Sequence, residues 1–366
     1  MTLKILFSES SPNLGGQELQ LLQQMLVLRQ QGVAVKLACR AASGIEQAAQ
    51  RRGLKVAQVA FRNSLHLPSI LRIRHLMQTW QPDVVVSHSG HDANVCGMAA
   101  RLVRHRPRTV RVRTYQHGMP HAWSYNWLAD VTLVPSQEMR TRILHNPKIE
   151  AARIQILYPG LDFAEIARDA QQALPEGIAA WLEQHPGRLV VHAAMLRPEK
   201  GHLFMLDVLA RLLPRFPDLR YVIAGEGEQR VAIEQRVREL GIEQQVYLAG
   251  MLQPVAPLLQ RAHLVIMPSL VEPLGMAQIE ALSLGVAVIA SRVDGIPETI
   301  DADETGLLVA PGAVEAWVDA ITWGLEHPER MTAMAAEGCK RVHSKFSIES
   351  NITRFLSLIQ TEQHAK

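Results

Sequence analysis

The chain has little cysteine, and none of it is arranged to bind metal or staple a fold. Cys39, Cys96 and Cys339 are odd in number, far apart and outside any CxxC spacing. That argues against a disulfide framework and a structural zinc site, and it fits a reducing cytoplasm. No apolar run approaches the roughly 20 residues that cross a bilayer. The opening MTLKILFSES carries only a short apolar run, too short for the core of a secretory signal. The expectation is a cytoplasmic chain, free or peripheral at the inner face of the membrane. A GxGxxG fingerprint is also missing, which removes the main support for a nicotinamide enzyme. Neither a DxD-like carboxylate pair nor a His/Cys cluster stands where a divalent ion would bridge phosphates, so no metal and no bound cofactor are expected. Low-complexity tracts and short-period repeats are absent, which sets aside solenoids and arrays.

What is present is length enough for two cores, 366 residues with nearly half of them apolar, and a polarised charge. Residues 1–150 hold 19 Lys and Arg against 8 Asp and Glu, a balance of +11, while the remainder carries −8. Arg51, Arg52, Arg62, Arg72 and Arg74 form one basic stretch, and Arg101, Arg104, Arg106, Arg108, Arg111 and Arg113 another. An arginine-rich face turned to solvent and a docking face for an anionic surface fit this pattern equally. Among partners a membrane surface is favoured, because no aromatic-interleaved or zinc-finger nucleic-acid motif accompanies the charge.

Short β-branched apolar runs alternate with amphipathic segments along the chain. KILF, VAVKLA, DVVVSH, RTVRVRT and VTLVPS supply strands in the first half. RLVVHAA, RYVIAG, QVYLAG, HLVIMPS, VAVIAS and GLLVAPG supply them in the second. Near-continuous apolar runs are strands covered on both faces, so the fold class expected is α/β, with two doubly wound parallel sheets. The first helix, from about Gln17, should bury Leu19, Leu22 and Met25 or Leu26. The alanine-rich stretch from Leu161 to Gly187 reads as a linker with a leading helix, and the cut falls near Phe163.

In such sheets ligands sit beyond the carboxyl ends of strands, so those loops are where chemistry is sought. After the first strand, Gly15 and Gly16 precede a helix; a structural turn and a close phosphate approach fit this spacing equally. AAMLRPEKGH places Arg197 and Lys200 in one such loop, as cations for a diphosphate or as ordinary surface charge. AGEGEQR sets Gly225, Glu226 and Gly227 between a strand and a helix, and a plain turn is its alternative. The fullest constellation is PSLVEPLGMAQIEALSLG. A helix beginning near Gly275 to Ala277 would present N–H groups and roughly half a positive charge to a diphosphate. Glu280 lies one turn in, placed to accept from a ribose diol, and Glu272 lies upstream, placed to hold sugar hydroxyls. The alternative is that Glu272 complements the helix dipole and Glu280 is a solvated acid.

Glu272-Pro-Leu-Gly-Met-Ala-Gln-Ile-Glu280 resembles the Glu-x7-Glu motif of retaining GT-B glycosyltransferases of family four. NLGGQE resembles that family's GGxE loop, ILYPGLDF its interdomain segment, LRPEKGH its lysine loop and SRVDGIPETI its GGxPE loop. These segments occur in the family's order across nearly the whole chain. The resemblance implies two facing Rossmann-like domains with a cleft between them. Residues 1–163 would bind acceptor, residues 164–346 would bind donor, and a last helix within 347–366 would pack back on the first domain. It implies that Glu280 binds ribose, and that Glu272, Pro273, Leu274, Gly275, Met276 and Ala277 hold sugar and phosphates. Lys200 would stabilise the departing diphosphate, Gly16 would close over the phosphates, and His117 would lie near the transferred sugar.

The function implied is metal-independent transfer, with retained configuration, from a nucleotide-diphosphate sugar to a glycan, glycolipid or lipopolysaccharide-type acceptor. Three departures stand out. Ala194-Met195-Leu196 replaces the family's Gly-Arg-Leu, leaving Arg197 as the substitute cation; Pro159-Gly160 replaces Asn-Gly; and Leu274 replaces an aromatic. A GT-B sugar-nucleotide epimerase, a phosphorylase and a catalytically inactive donor-binding homologue are the competing readings.

Overall fold

A computed structural model describes residues 2–114 and 118–360. The chain divides into two compact units, Met1–Leu161 with Ile348–Lys366, and Asp162–Ser347. In the first unit, seven strands form one sheet: β1 Lys4–Glu9, β2 Ala34–Cys39, β3 Val56–Gln58, β4 Val84–Ser87, β5 Arg108–Val112, β6 Val131–Val134 and β7 Ile154–Ile156. Every pairing is parallel, in the order β3-β2-β1-β4-β5-β6-β7. The apolar runs DVVVSH and VTLVPS become strands buried along their whole length, as two-sided cover by helices demands. Only β3 and β7 escape the pattern reading. Each is a three-residue edge strand, too short to show a period.

The first helix, Gly16–Gln30, is capped by Glu18, whose carboxylate accepts from the Gly15 N–H at 2.7 Å. It buries Leu21, Leu22, Met25 and Leu28. Leu22 and Met25 are buried as expected, whereas Leu19 and Leu26 are only partly buried and Leu21 and Leu28 take core positions instead. The last helix, Ile348–Gln360, adds Ile348, Ile352, Phe355 and Ile359 to this same core. Phe355 lies 6.4 Å from the Phe7 ring, the Ile348 N–H donates to Leu161 O at 2.9 Å, and the Asn351 amide donates to Tyr158 O at 2.6 Å.

The second unit holds β8 Arg188–Ala193, β9 Leu219–Ala224, β10 Val246–Gly250, β11 Leu264–Met267, β12 Val288–Ser291 and β13 Leu307–Val309. Their order is β10-β9-β8-β11-β12-β13, again all parallel. Its core is built around fully buried Trp317 and Tyr221. The stretch 161–187 has the leading helix expected of it, but the rest is structured rather than a linker. It forms helices Phe163–Asp169 and Glu176–Gln184, where Phe163 stacks on His343 at 4.3 Å and Trp181 meets Tyr247 at 5.3 Å. Its alanines, read as linker composition, belong to helices that lean on the second unit through these aromatic contacts.

In both sheets the winding direction reverses once, between β1 and β4 and between β8 and β11. Such a reversal opens a crevice beyond the carboxyl ends of the two central strands. The second crevice depends on Gly201, which ends the β8 loop with φ +75°; a Cβ there would stand 2.3 Å from Pro268 O. Gly201→Ala is expected to lower the urea midpoint clearly more than Gly241→Ala. The latter meets only the left-handed backbone strain of about 1–2 kcal/mol, since nothing lies within 4 Å of its Cβ position. Equal midpoints would show that the loop is not held against Pro268.

Candidate functional site

Three loops converge on the β8/β11 crevice, and backbone hydrogen bonds tie them together. The Leu270 N–H in the β11 loop donates to Glu199 O in the β8 loop at 2.7 Å. The Glu272 N–H donates to the Asp294 carboxylate in the β12 loop at 2.9 Å, and the Gly295 N–H returns to Glu272 O at 3.1 Å. Asp294 is a positioning residue that the motif reading missed; it lies inside SRVDGIPETI, but nothing in its spacing reveals the bond it makes.

At the centre, Lys200 Nζ donates to Glu272 Oε2 at 2.7 Å, with both side chains nearly enclosed, 18 and 10 % exposed. Ser269 Oγ donates to the same oxygen at 3.3 Å. Removing two charges from water is costly unless each satisfies the other, so this pair fixes the β8 and β11 loops against one another. Glu272 is thus committed to a cation rather than to the helix dipole.

Helix Met276–Ser283 starts directly beyond Glu272. Its first N–H groups have no intrahelical acceptors and carry the positive end of the helix dipole. Gly275 enters it with φ +91° because the Gln278 side chain folds back beneath, donating to Leu274 O at 3.0 Å and to Thr299 Oγ1 at 2.6 Å. A Cβ at 275 would fall 2.3 Å from Gln278. One turn in, Glu280 is half-buried, and among the described residues its carboxylate makes neither a hydrogen bond nor an ion pair. Burial pushes its pKa up to about 7.

The other expected residues are placed as follows. Pro273 and Leu274 lie in the β11 loop, Leu274 buried, with Met276 and Ala277 opening the helix. Arg197 is half-exposed at the mouth of the β8 loop, its guanidinium 4.0 Å from Glu199 and its carbonyl accepting from the Lys200 N–H at 3.0 Å. Glu226 pairs with Arg230 at 2.6 Å, while its carbonyl accepts from the Leu196 N–H at 3.0 Å. Gly225 packs on the Ala194 carbonyl, so the β9 loop supports the β8 loop from behind. Gly15 and Gly16 stand beyond β1 in the first unit, and His117 lies outside the described residues.

Sequence reading missed two buried clusters. Below the Lys200 loop, the His192 and His202 rings sit 4.0 Å apart; His192 bonds the Tyr221 hydroxyl at 2.8 Å and His202 the Met195 carbonyl at 3.1 Å. Burial and neighbouring cations hold both imidazoles neutral, His202 down to about 4 and His192 well below its ordinary value. In the first unit, buried Glu9 and Asp92 lie at the β1/β4 reversal. Asp92 accepts from Ser8 Oγ at 2.8 Å and from the Ser89 N–H at 2.9 Å, and burial together with the Glu9 charge raises it to about 8. Gln17 bonds Glu9 at 2.9 Å and Thr114 donates to Gln17. Glu9 and Asp92 are far apart in sequence, and His192 and His202 belong to a strand and the next helix, so no single motif announces either cluster.

Two family models cover most of the chain: Glycosyltransferase Family 4 over residues 14–165 and Glycosyl transferases group 1 over residues 175–341. Among curated relatives, a D-inositol 3-phosphate glycosyltransferase of Corynebacterium glutamicum is 28% identical over 63% of this chain. The match spans 57% of that relative's length. Among solved structures, a glycosyltransferase from Rickettsia africae superposes with a TM-score of 0.87 at 17% identity, covering 99% of this chain and 100% of its own. An Anabaena protein, HepE, solved with UDP and glucose, gives 0.80 at 19% identity over 98% and 100%. The shared fold is GT-B, with two Rossmann-like parallel-sheet domains, and the chain belongs to the family-four, group 1 glycosyltransferases.

Proposed function

We propose that this glycosyltransferase moves a sugar from a nucleotide-diphosphate donor, with retention and without a metal ion, onto a glycolipid or lipopolysaccharide-type acceptor at the cytoplasmic face of a membrane. The observation that carries the donor half is the enclosed Lys200–Glu272 pair beside the N-terminus of helix Met276–Ser283. A diphosphate against that helix end competes with Glu272 for the Lys200 ammonium. Glu272, left buried, then needs new donors, and sugar hydroxyls supply them; diphosphate and sugar are thereby recognised together. Glu280 accepts from the ribose diol. Arg197, at the loop mouth beside Glu199, would turn inward to stand in for the arginine that Met195 replaces.

Charge builds on the leaving diphosphate as the glycosidic bond breaks, and Lys200, Arg197 and the helix end are aimed where it builds. The acceptor hydroxyl attacks from the leaving-group face and passes its proton to a diphosphate oxygen, so no strong protein base is required. In the first unit, a cleft lined by Val112, Leu157 and Ile348 also presents Gln17, Gln24, Thr114 and Asn351, which bond one another and neighbouring groups; an acceptor sugar would exchange these bonds for its own hydroxyls. The basic first half supports an acceptor held at an anionic surface.

Lys200→Ala is expected to lower kcat on the order of 100-fold, the scale of losing one preorganised charge partner. It also leaves Glu272 buried and unpaired, so stability falls. Adding Glu272→Gln restores the melting midpoint but not turnover, and wild-type turnover in Lys200→Ala would overturn the assignment.

The raised pKa of Glu280 sets a second expectation. Only the ionised carboxylate accepts two ribose hydroxyls, so donor affinity rises with pH through about 7. Across pH 6 to 8 the ionised fraction of a group titrating there changes about tenfold, and calorimetry with the intact nucleotide sugar, whose diphosphate does not titrate in this range, reads it as Kd. Glu280→Gln should bind weakly and flatly with pH. A pH slope that survives in Glu280→Gln would assign the titration to another group. The sign for folding is opposite: Glu280 ionises more easily unfolded, so its burial costs stability progressively from about pH 4.5 upward and fully above about 7.

A further inference from the structure

We infer that one face of the first unit is a docking surface for an anionic lipid bilayer, built from helix Leu67–Trp80, the 101–106 segment and helix Ala122–Asn126. The inference deepens the acceptor reading above and rests on it for its purpose, though its geometry stands apart.

Two stretches of the chain, residues 47–82 and 93–129, contain no acidic residue and six Lys or Arg each. The fold brings them side by side. Arg74 on the first helix donates to Leu102 O at 3.0 Å. Arg101 donates to Trp127 O and lies 4.9 Å over the Trp127 ring. Helix Leu67–Trp80 buries Ile70, Ile73, Leu76 and Met77, which leaves Leu67 and Leu71, one turn apart, standing in solvent at 61 and 48 % exposure. Leu65, Leu102, Trp123 and Trp127 are exposed as well, the two tryptophans also one turn apart.

The cations are available. Arg62, Arg72 and Arg104 are exposed and make no ion pair or hydrogen bond among the described residues, whereas Arg106 is neutralised by Asp130. Arg111, counted in the basic stretch, is not part of the surface. It is buried over the Tyr125 ring at 4.7 Å and bonded to Ser124 at 2.9 Å.

Leucines and tryptophans interleaved with unpaired arginines match the boundary between headgroups and acyl chains, where rings and aliphatic side chains enter and guanidinium groups stay with phosphate. An acid-free flank adds long-range attraction to a negative surface. Single-stranded nucleic acid would use the arginines and the tryptophans but gives Leu65, Leu67 and Leu71 nothing to contact, so lipid is the partner favoured.

The test is co-sedimentation of the full chain with vesicles of phosphatidylcholine alone and of phosphatidylcholine with phosphatidylglycerol, at low and high salt, with no sugar nucleotide present. Binding to the anionic vesicles alone, weakened by salt, is expected. Arg72→Glu with Arg104→Glu, and separately Leu67→Ser with Leu71→Ser, should each reduce it about tenfold or more while leaving donor binding unchanged. Equal binding to both vesicles would overturn the inference, as would wild-type binding by either variant. Binding of a single-stranded oligonucleotide that depends on the arginines, with no vesicle binding, would assign the face to nucleic acid and also overturn it. Loss of donor binding in Glu280→Gln tests the site separately, so the two readings fail independently.

Discussion

The Lys200–Glu272 ion pair is the interaction on which the second unit's site depends. It joins the loop after β8 to the loop after β11 at the one place where the sheet order reverses. A lysine and a glutamate so enclosed are stable only together. Around them the backbone is arranged to keep the pair and the helix end in register: Leu270 bonded to Glu199, Glu272 to Asp294, and Gln278 folded beneath Gly275. The crevice is therefore preformed, its loops held by these bonds; under the function proposed, an arriving diphosphate would draw Lys200 from Glu272.

Much of this was legible in sequence, for a physical reason. Buried parallel strands are apolar on both faces, so RLVVHAA and HLVIMPS announce themselves, and the loops that follow must carry the ligand chemistry. The Glu272–Glu280 spacing likewise reports its geometry, because a loop followed by two helical turns fixes both positions. Other features left no local trace. β3 and β7 are three-residue edges, the His192–His202 stack joins a strand to the next helix through the interior, and Glu9 meets Asp92 across 83 positions. The alanines of 161–187 misled because composition alone does not separate a linker from helices pinned by Phe163 and Trp181. Arg111 misled in the same way: its place in a basic run said nothing of the Tyr125 ring beneath it.

The two units divide the physics differently. The second gathers a few enclosed charges beside a helix N-terminus, where low dielectric makes each interaction strong. The first carries much of its excess charge outward, beside exposed leucines and tryptophans, and holds the Glu9–Asp92 pair and Arg111 within. A charge of +11 over the first 150 residues acts at long range, whereas the pair at Lys200 acts at contact distance.

The account's central claim is that the β8/β11 crevice holds a nucleotide-diphosphate sugar. The most direct test is thermal unfolding of the wild-type chain and of Glu280→Ala with UDP, GDP, ADP and CDP and their sugars. A ligand at 100 times its Kd stabilises the folded state by about 2.7 kcal/mol, so the midpoint should rise clearly with one base and not the others, and the rise should vanish in Glu280→Ala. No shift with any nucleotide, or a shift unchanged in the variant, would contradict the claim.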